Sequence, residues 1–212
     1  MSDMSFAGRA VITLFSDPAD PNSHRIRFLG VEKEVPMEVI SVDSNKVPED
    51  LYELNPYGTI PTLVDRDLVL HDAQVILEYL DERFPHPPMM PIDPIQKAVI
   101  RQQLRLIETE WYPLIHAITA GEDKTSVQVA RKQLFERLIQ LIPIMSEKDY
   151  FLSDEFTLLD LSMAPIFWRL QYLGIELPKS AKPVMDYAER LLSRPEFRNS
   201  LSDDELDMRD IL

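Results

Sequence analysis

Hydrophobic and polar residues alternate in two different ways along this chain. Up to about Phe84, short apolar runs are interleaved with helix-spaced ones. "VITLFS" (Val11–Ser16) is short, apolar and β-branched, and predicts a buried strand. "SHRIRFLGVEK" has helical spacing, with Ile26, Leu29 and Gly30 on one side. "MEVISV" (Met37–Val42) alternates and predicts a second strand. "PEDLYELNP" predicts a short helix, opened by Pro48 and closed before Pro56. "TLVDRDLVLH" (Thr62–His71) predicts a hairpin turning at Asp65-Arg66-Asp67. "AQVILEYLDERF" (Ala73–Phe84) closes the unit, with Val75, Ile76, Tyr79 and Leu80 as its apolar stripe. One βαβ crossover followed by a hairpin and a helix predicts a four-stranded mixed sheet with helices on its faces.

From Pro94 onward the pattern is helical throughout. Ile100, Leu104, Ile107, Trp111, Leu114 and Ile118 repeat at three- and four-residue steps, as do Leu134, Leu138, Leu141 and Met145. Pro113 and Pro143 lie inside these runs and are expected to end or kink them. "FTLLDLSMAPIFWRLQYLG" opens with Thr157-x-x-Asp160, a capping box in which hydroxyl and carboxylate each accept a backbone N–H. "AKPVMDYAERLLSRPEF" predicts a further helix stopped at Pro195. The acidic end, "SDDELDMRDIL", is expected to be mobile or loosely docked. Three segments result: a sheet domain at 1–84, a proline-rich connector at 85–94 and a helical domain at 95–212.

Charge and composition narrow the function. There are 36 acidic and 22 basic residues, a net charge of −14, which repels phosphate backbones and argues against direct nucleic-acid binding. "ARKQLFER" (Ala130–Arg137) is locally basic but reads as a solvated helix face. Cysteine is absent, so disulfides, thiolate zinc sites and a cysteine nucleophile are excluded. A chain of this kind suits the cytoplasm. The first twenty residues lack the basic and apolar regions of a signal peptide, and no long apolar run predicts a membrane span. The four histidines, His24, His71, His86 and His116, lack metal-ligand spacing, and no metal site is expected. No nucleophile elbow or phosphate-binding glycine loop occurs.

"NPYGTIPTLVDRDLVLHDAQVILEYLDERFP" resembles the second half of the thioredoxin-like domain of glutathione S-transferases. The helical remainder, with its Thr-x-x-Asp box, resembles their C-terminal domain. More narrowly, "PTLVDRDLVL", "EYLDERFPHPPMMP" and "FLSDEFTLLDLSMAPIFWRLQYLGIELP" resemble the stringent starvation protein A family. That family comprises RNA polymerase-associated bacterial transcription regulators built on the transferase fold. The resemblance implies an α/β plus all-α fold: a thioredoxin-like N-terminal domain followed by a transferase-type helical domain. It also implies a homodimer, no cofactor and a role in the stress response.

The transferase resemblance allows three chemical requirements to be checked. The first is a donor that stabilises a thiolate near the start of the first helix. Matching "SHRIR" (Ser23–Arg27) to the family's first-helix motif puts Asp20 at that position, and an ionised Asp only accepts hydrogen bonds. Ser16 and Ser23 lie nearby as possible donors, and the tyrosine-type position holds Phe15 or Ser16. The second is the Glu/Gln-Ser pair that grips the γ-glutamyl carboxylate; here the residues are Asp72-Ala73. The third is a cis-proline, matched by Ile60-Pro61, which shapes the fold with or without ligand. Only the structural requirement is met, so a non-catalytic protein is expected. The alternative, a glutathione-dependent transferase or related thiol-using enzyme, rests on the fold and on Ile60-Pro61.

The connector "ERFPHPPMMP" can be read as a stiff joint, because each proline fixes φ and restricts the residue before it. It can equally be a rigid recognition surface, with Met89 and Met90 contacting a partner or packing on the helices. The stringent starvation protein resemblance implies the second reading. Pro85, His86 and Pro87, with the adjoining Phe84, then form a pocket for RNA polymerase and its primary sigma factor. Relatives resemble "MPVYP" where this chain has "MPIDP", which puts Asp93 in place of an aromatic at that site.

Overall fold

The computed structural model describes residues 11–121 and 123–210. Two compact units emerge. The first takes in the chain up to Pro87 together with Asn199–Glu205, and the second takes in Pro88–Arg198 and Leu206 onward. Pro85–Pro87 therefore belong with the sheet, and Pro88–Pro94 with the helices. Asn199–Glu205, which the sequence pattern groups with the helices, also belongs with the sheet.

The first unit runs β1 (Ile12–Ser16), α1 (Pro21–Glu32), β2 (Met37–Ser41), α2 (Glu49–Leu54), β3 (Thr62–Asp65), β4 (Leu68–Leu70) and α3 (Ala73–Arg83). The strand order is β2-β1-β3-β4. β1 is parallel to β2, with Leu14 opposite Val39, and antiparallel to β3, with Leu14 opposite Leu63. A central strand is covered on both faces, and all five residues of β1 are buried. Its pleat sends Phe15 to one face, where it packs with Val42, Leu51 and Val64. The β3–β4 hairpin turns at Arg66, whose φ of 57° is left-handed. α1 packs against α3. The α3 stripe differs from the sequence expectation: Ala73, Ile76, Leu77 and Leu80 are buried, Val75 is exposed and Tyr79 is half-buried. The Tyr79 hydroxyl donates instead to Asp65, 2.6 Å away.

The second unit contains α4 (Pro94–Leu106), a π-helical turn (Ile107–Trp111), α5 (Tyr112–Ala120), α6 (Lys124–Gln140), α7 (Ile142–Met145), α8 (Leu158–Arg169), α9 (Lys182–Leu192) and α10 (Pro195–Asn199). Pro113 and Pro143 lie in the first turns of α5 and α7, where a missing N–H costs little. Within α5 the buried residues are Tyr112, Ile115 and Ile118, so Ile115, and not Leu114, takes an inward position. α8 is buried at every residue except Trp168. Its capping box forms as expected: Asp160 accepts from the Thr157 N–H at 2.8 Å, and Thr157 Oγ1 accepts from the Leu159 N–H at 3.2 Å. Asp160 also accepts from the Phe151 N–H at 2.8 Å and the Tyr187 hydroxyl at 2.7 Å. Burial raises the pKa of its carboxyl above the ordinary value, although these hydrogen bonds oppose the shift.

The acidic end departs from expectation. It forms a helix, α11 (Asp203–Asp210), with Glu205 and Met208 buried. A charged run predicts exposure only while its members lack partners. Glu205 has them: its carboxylate meets His24 at 3.1 Å and Arg27 at 2.7 Å.

Candidate functional site

Apart from Asp93, the residues singled out by sequence lie in the first unit, at the loop after β1, before β3, at the start of α3 and in the segment after α3. α1 and its C-cap supply a buried cation to the first and the last of these places.

At the loop after β1, Ser16 is 2% exposed, and its Oγ accepts from Arg27 Nη1 at 2.5 Å. Arg27 also donates to the carbonyls of Asp17 and Ser200 and to Glu205. Glu205 accepts further from the Ser202 N–H at 3.0 Å. Asp17 turns its carboxylate onto the loop itself, accepting from the backbone N–H of Ala19, Asp20 and Ser44. Burial alone would raise the Asp17 pKa, but the hydrogen bonds from Ser44, Ala19 and Asp20 outweigh it and hold the carboxyl below the ordinary range. Asp20 is the N-cap of α1, accepting from the Ser23 N–H at 2.7 Å. Asp72 is the N-cap of α3, accepting from the Val75 N–H at 2.9 Å, next to the buried Ala73. The Ile60–Pro61 bond is cis. The loop that carries it is fixed by Asn55, fully buried, whose side-chain amide donates to Thr59 and Thr62. Ser16, Asp20, Ile60, Pro61, Asp72 and Ala73 all belong to the first unit. The carboxylates among them occupy the helix-terminal N–H groups that would otherwise meet an anionic ligand.

At the last of these places, α3 ends at Arg83, and the Phe84 N–H makes the last helical bond, to the Leu80 carbonyl. Pro85 cannot continue the helix. Phe84 is half-buried with the Arg83 guanidinium 5.4 Å from its ring centre, and Pro85, His86 and Pro87 are exposed. The His86–Pro87 bond is cis. Beneath them lies Lys33, at the C-terminal end of α1, with its side chain fully buried. Its ammonium group meets Asp81 Oδ1 at 2.7 Å, the Phe84 carbonyl at 2.6 Å and the Pro87 carbonyl at 2.7 Å. Three N–H donors have three acceptors.

Asp93 lies in the second unit, where it is the N-cap of α4 and accepts from the Gln96 N–H at 2.8 Å. Met89 is buried there, and its carbonyl accepts from the Leu158 N–H. Of the two methionines, Met89 therefore packs on the helices. The basic stretch of α6 is engaged locally: Arg137 pairs with Glu110 at 2.5 Å, and Arg131 donates to the Leu173 carbonyl at 2.7 Å. Among the described residues, no helix is long and apolar enough to cross a membrane, and no group of three or more His, Asp or Glu could hold a metal ion.

Sequence reasoning missed Lys33, Arg27, Asn55 and Glu205. One signal was present: Arg25 and Arg27 flank Ile26 and run into Phe28 and Leu29, and a buried arginine requires an anion.

Residues 21–83 match the family model for the glutathione S-transferase N-terminal domain, and residues 104–195 match that for the C-terminal domain. A stringent starvation protein A homolog of Coxiella burnetii is 44% identical over 204 residues, 96% of this chain and 97% of the relative. The chain belongs to the stringent starvation protein A family. A homolog from Pasteurella multocida is 45% identical over 194 residues, 91% of each chain. Among solved structures, FzlA from C. crescentus superposes with a TM-score of 0.81 over 94% of this chain and 99% of that one, at 23% identity. At that identity the likeness speaks for the fold alone. This member of the stringent starvation protein A family thus has the thioredoxin-like and helical domains of the transferase fold, as its sequence resemblance implied.

Proposed function

We propose that this protein is a non-catalytic, cytoplasmic transcription regulator acting in the stress response, which docks on RNA polymerase carrying its primary sigma factor. Docking runs through Pro85, His86 and Pro87 with the adjoining Phe84. The observation that carries the reading is the exposure of these three consecutive residues on a segment anchored from below. Proline rings on a held backbone lose little entropy on binding, so a small surface can still be specific. Family membership supports the choice of partner. A net charge of −14 favours a basic protein surface over nucleic acid.

The absence of catalysis is supported by the geometry of the transferase site. The Ser16 hydroxyl is buried against a guanidinium, and the Asp20 and Asp72 carboxylates are taken up by helix capping. The protein needs no cofactor on this reading. We also propose a homodimer, as membership of the transferase-fold family suggests. A dimer presents the docking segment twice.

The test is a binding titration of purified protein against RNA polymerase holoenzyme, beside the Pro85→Ala/His86→Ala/Pro87→Ala variant. Parental binding that is lost in a folded, equally dimeric variant is the expected result. Equal binding by both proteins removes the segment from the interface. Saturable glutathione binding in calorimetry, with turnover of an electrophile, would restore the enzyme reading.

A further inference from the structure

We infer that Lys33 is the positioning residue of the docking surface, a buried ammonium that holds the Phe84–Pro87 backbone in the shape the partner meets; the inference rests on the docking role proposed above.

The segment has little means of holding itself. Pro85, Pro87 and Pro88 have no N–H, which leaves the His86 amide as the sole backbone donor between Phe84 and Met89. The carbonyls remain and need partners. Lys33 Nζ takes the two that bracket the exposed residues, Phe84 O at 2.6 Å and Pro87 O at 2.7 Å. Its third contact is Asp81 Oδ1 at 2.7 Å, on the last turns of α3, which compensates the buried charge. One point on α1 thereby fixes both ends of a four-residue arch and ties it to α3. Lys33 has a fully buried side chain and Asp81 is nearly buried, so neither side chain offers a face to a partner. Any effect of Lys33 on binding must pass through the arch.

The absence of cysteine makes a chemical test possible. Lys33→Met keeps the length and removes the ammonium. Lys33→Cys introduces a single thiol, which can be alkylated in denaturant and the protein then refolded. Alkylation with 2-bromoethylamine restores an ammonium at nearly the reach of lysine, whereas 1-bromopropane gives a neutral chain of similar size. Each protein is titrated against RNA polymerase holoenzyme, and the His86 ring signals are followed by NMR as a report on the arch without the partner.

Lys33→Met is expected to weaken binding about tenfold or more and to shift or broaden the His86 ring signals. Aminoethylated Lys33→Cys should recover both binding and signal, and the propylated form neither. Asp81→Asn, which leaves the two carbonyl contacts in place, should give an intermediate loss and serves where Lys33→Met fails to fold. The inference is overturned by parental binding in a folded Lys33→Met or Asp81→Asn protein, by unmoved His86 signals, or by equal recovery with the two alkylating agents. Failure of the docking reading looks different: the Pro85→Ala/His86→Ala/Pro87→Ala variant then binds as well as the parent.

Discussion

Arg27 and Lys33 lie about two turns apart on the same helix, and both bury a positive charge in the first unit. Arg27 gathers side chains and carbonyls inward: Ser16, Asp17, Ser200 and Glu205 all turn toward it. Lys33 meets two carbonyls from beneath, and the residues between them stay exposed. The same kind of charge therefore closes one surface and presents another. The difference lies in the acceptors. Arg27 meets two side chains, Ser16 and Glu205, and two carbonyls, and all four residues that supply them are buried. Backbone carbonyls on Lys33 belong to a proline-rich segment, and pulling them down leaves the rings and the His86 imidazole facing out. The loop with the transferase residues is thus the consolidated part of this unit, and the segment after α3 is its displayed part.

The largest effect is expected on the Arg27 side. Glu205→Ala removes a fully buried carboxylate from Arg27 and His24, leaving buried donors and charge uncompensated, a change that costs about 3–5 kcal/mol in comparable settings. Urea unfolding followed by circular dichroism measures it. The loss should shrink in an Arg27→Met background, because the pair is then already absent. Polymerase binding by the folded fraction should be unchanged. A loss below about 1 kcal/mol, the level of an exposed pair, would break the contrast between the two cations.

Asp17 gives a smaller effect with a defined pH signature. Its folded-state pKa is lowered, so its contribution is present above the unfolded value of about 3.9 and is lost as pH falls through the folded value. Asp17→Asn is expected to cost about 1–3 kcal/mol at pH 7, the range for hydrogen bonds to a charged group. The gap between parent and variant should narrow as pH drops below the ordinary carboxylate range, because the parental carboxyl then protonates too. Parallel stability curves from pH 7 to pH 3 would show that the carboxylate charge does nothing for this loop.

Local chemistry was legible in the sequence wherever it repeats at short range. The Thr157–Asp160 box, the strands at Ile12 and Met37, the hairpin at Thr62–Leu70 and the helix breaks before Pro143 and Pro195 all depend on residues within a few positions of each other. Lys33 and its carbonyl partners are 51 and 54 positions apart, and Arg27 and Glu205 are 178 apart. No periodicity encodes such pairs. Glu205 looks like its acidic neighbours, and only the cations that meet it set it apart. The shift from Leu114 to Ile115 is one position in the apolar spacing, and a choice between a three- and a four-residue step is not made by periodicity alone. The exposed residues Pro85–Pro87 were visible as a motif, but what holds them was not.

The smallest expected effect concerns Asp93, which sequence resemblance groups with the docking residues and which the structure makes a helix cap. If capping is its whole role, any residue that can accept the Gln96 N–H should replace it. Asp93→Asn keeps that acceptor and should change stability by only a few tenths of a kcal/mol, whereas Asp93→Ala should cost about 1 kcal/mol. Both variants should then bind polymerase as the parent does, since neither touches the Phe84–Pro87 arch. Weaker binding by Asp93→Asn, with unchanged stability, would mean that the carboxylate itself meets the partner. Capping would then account for only part of what Asp93 does.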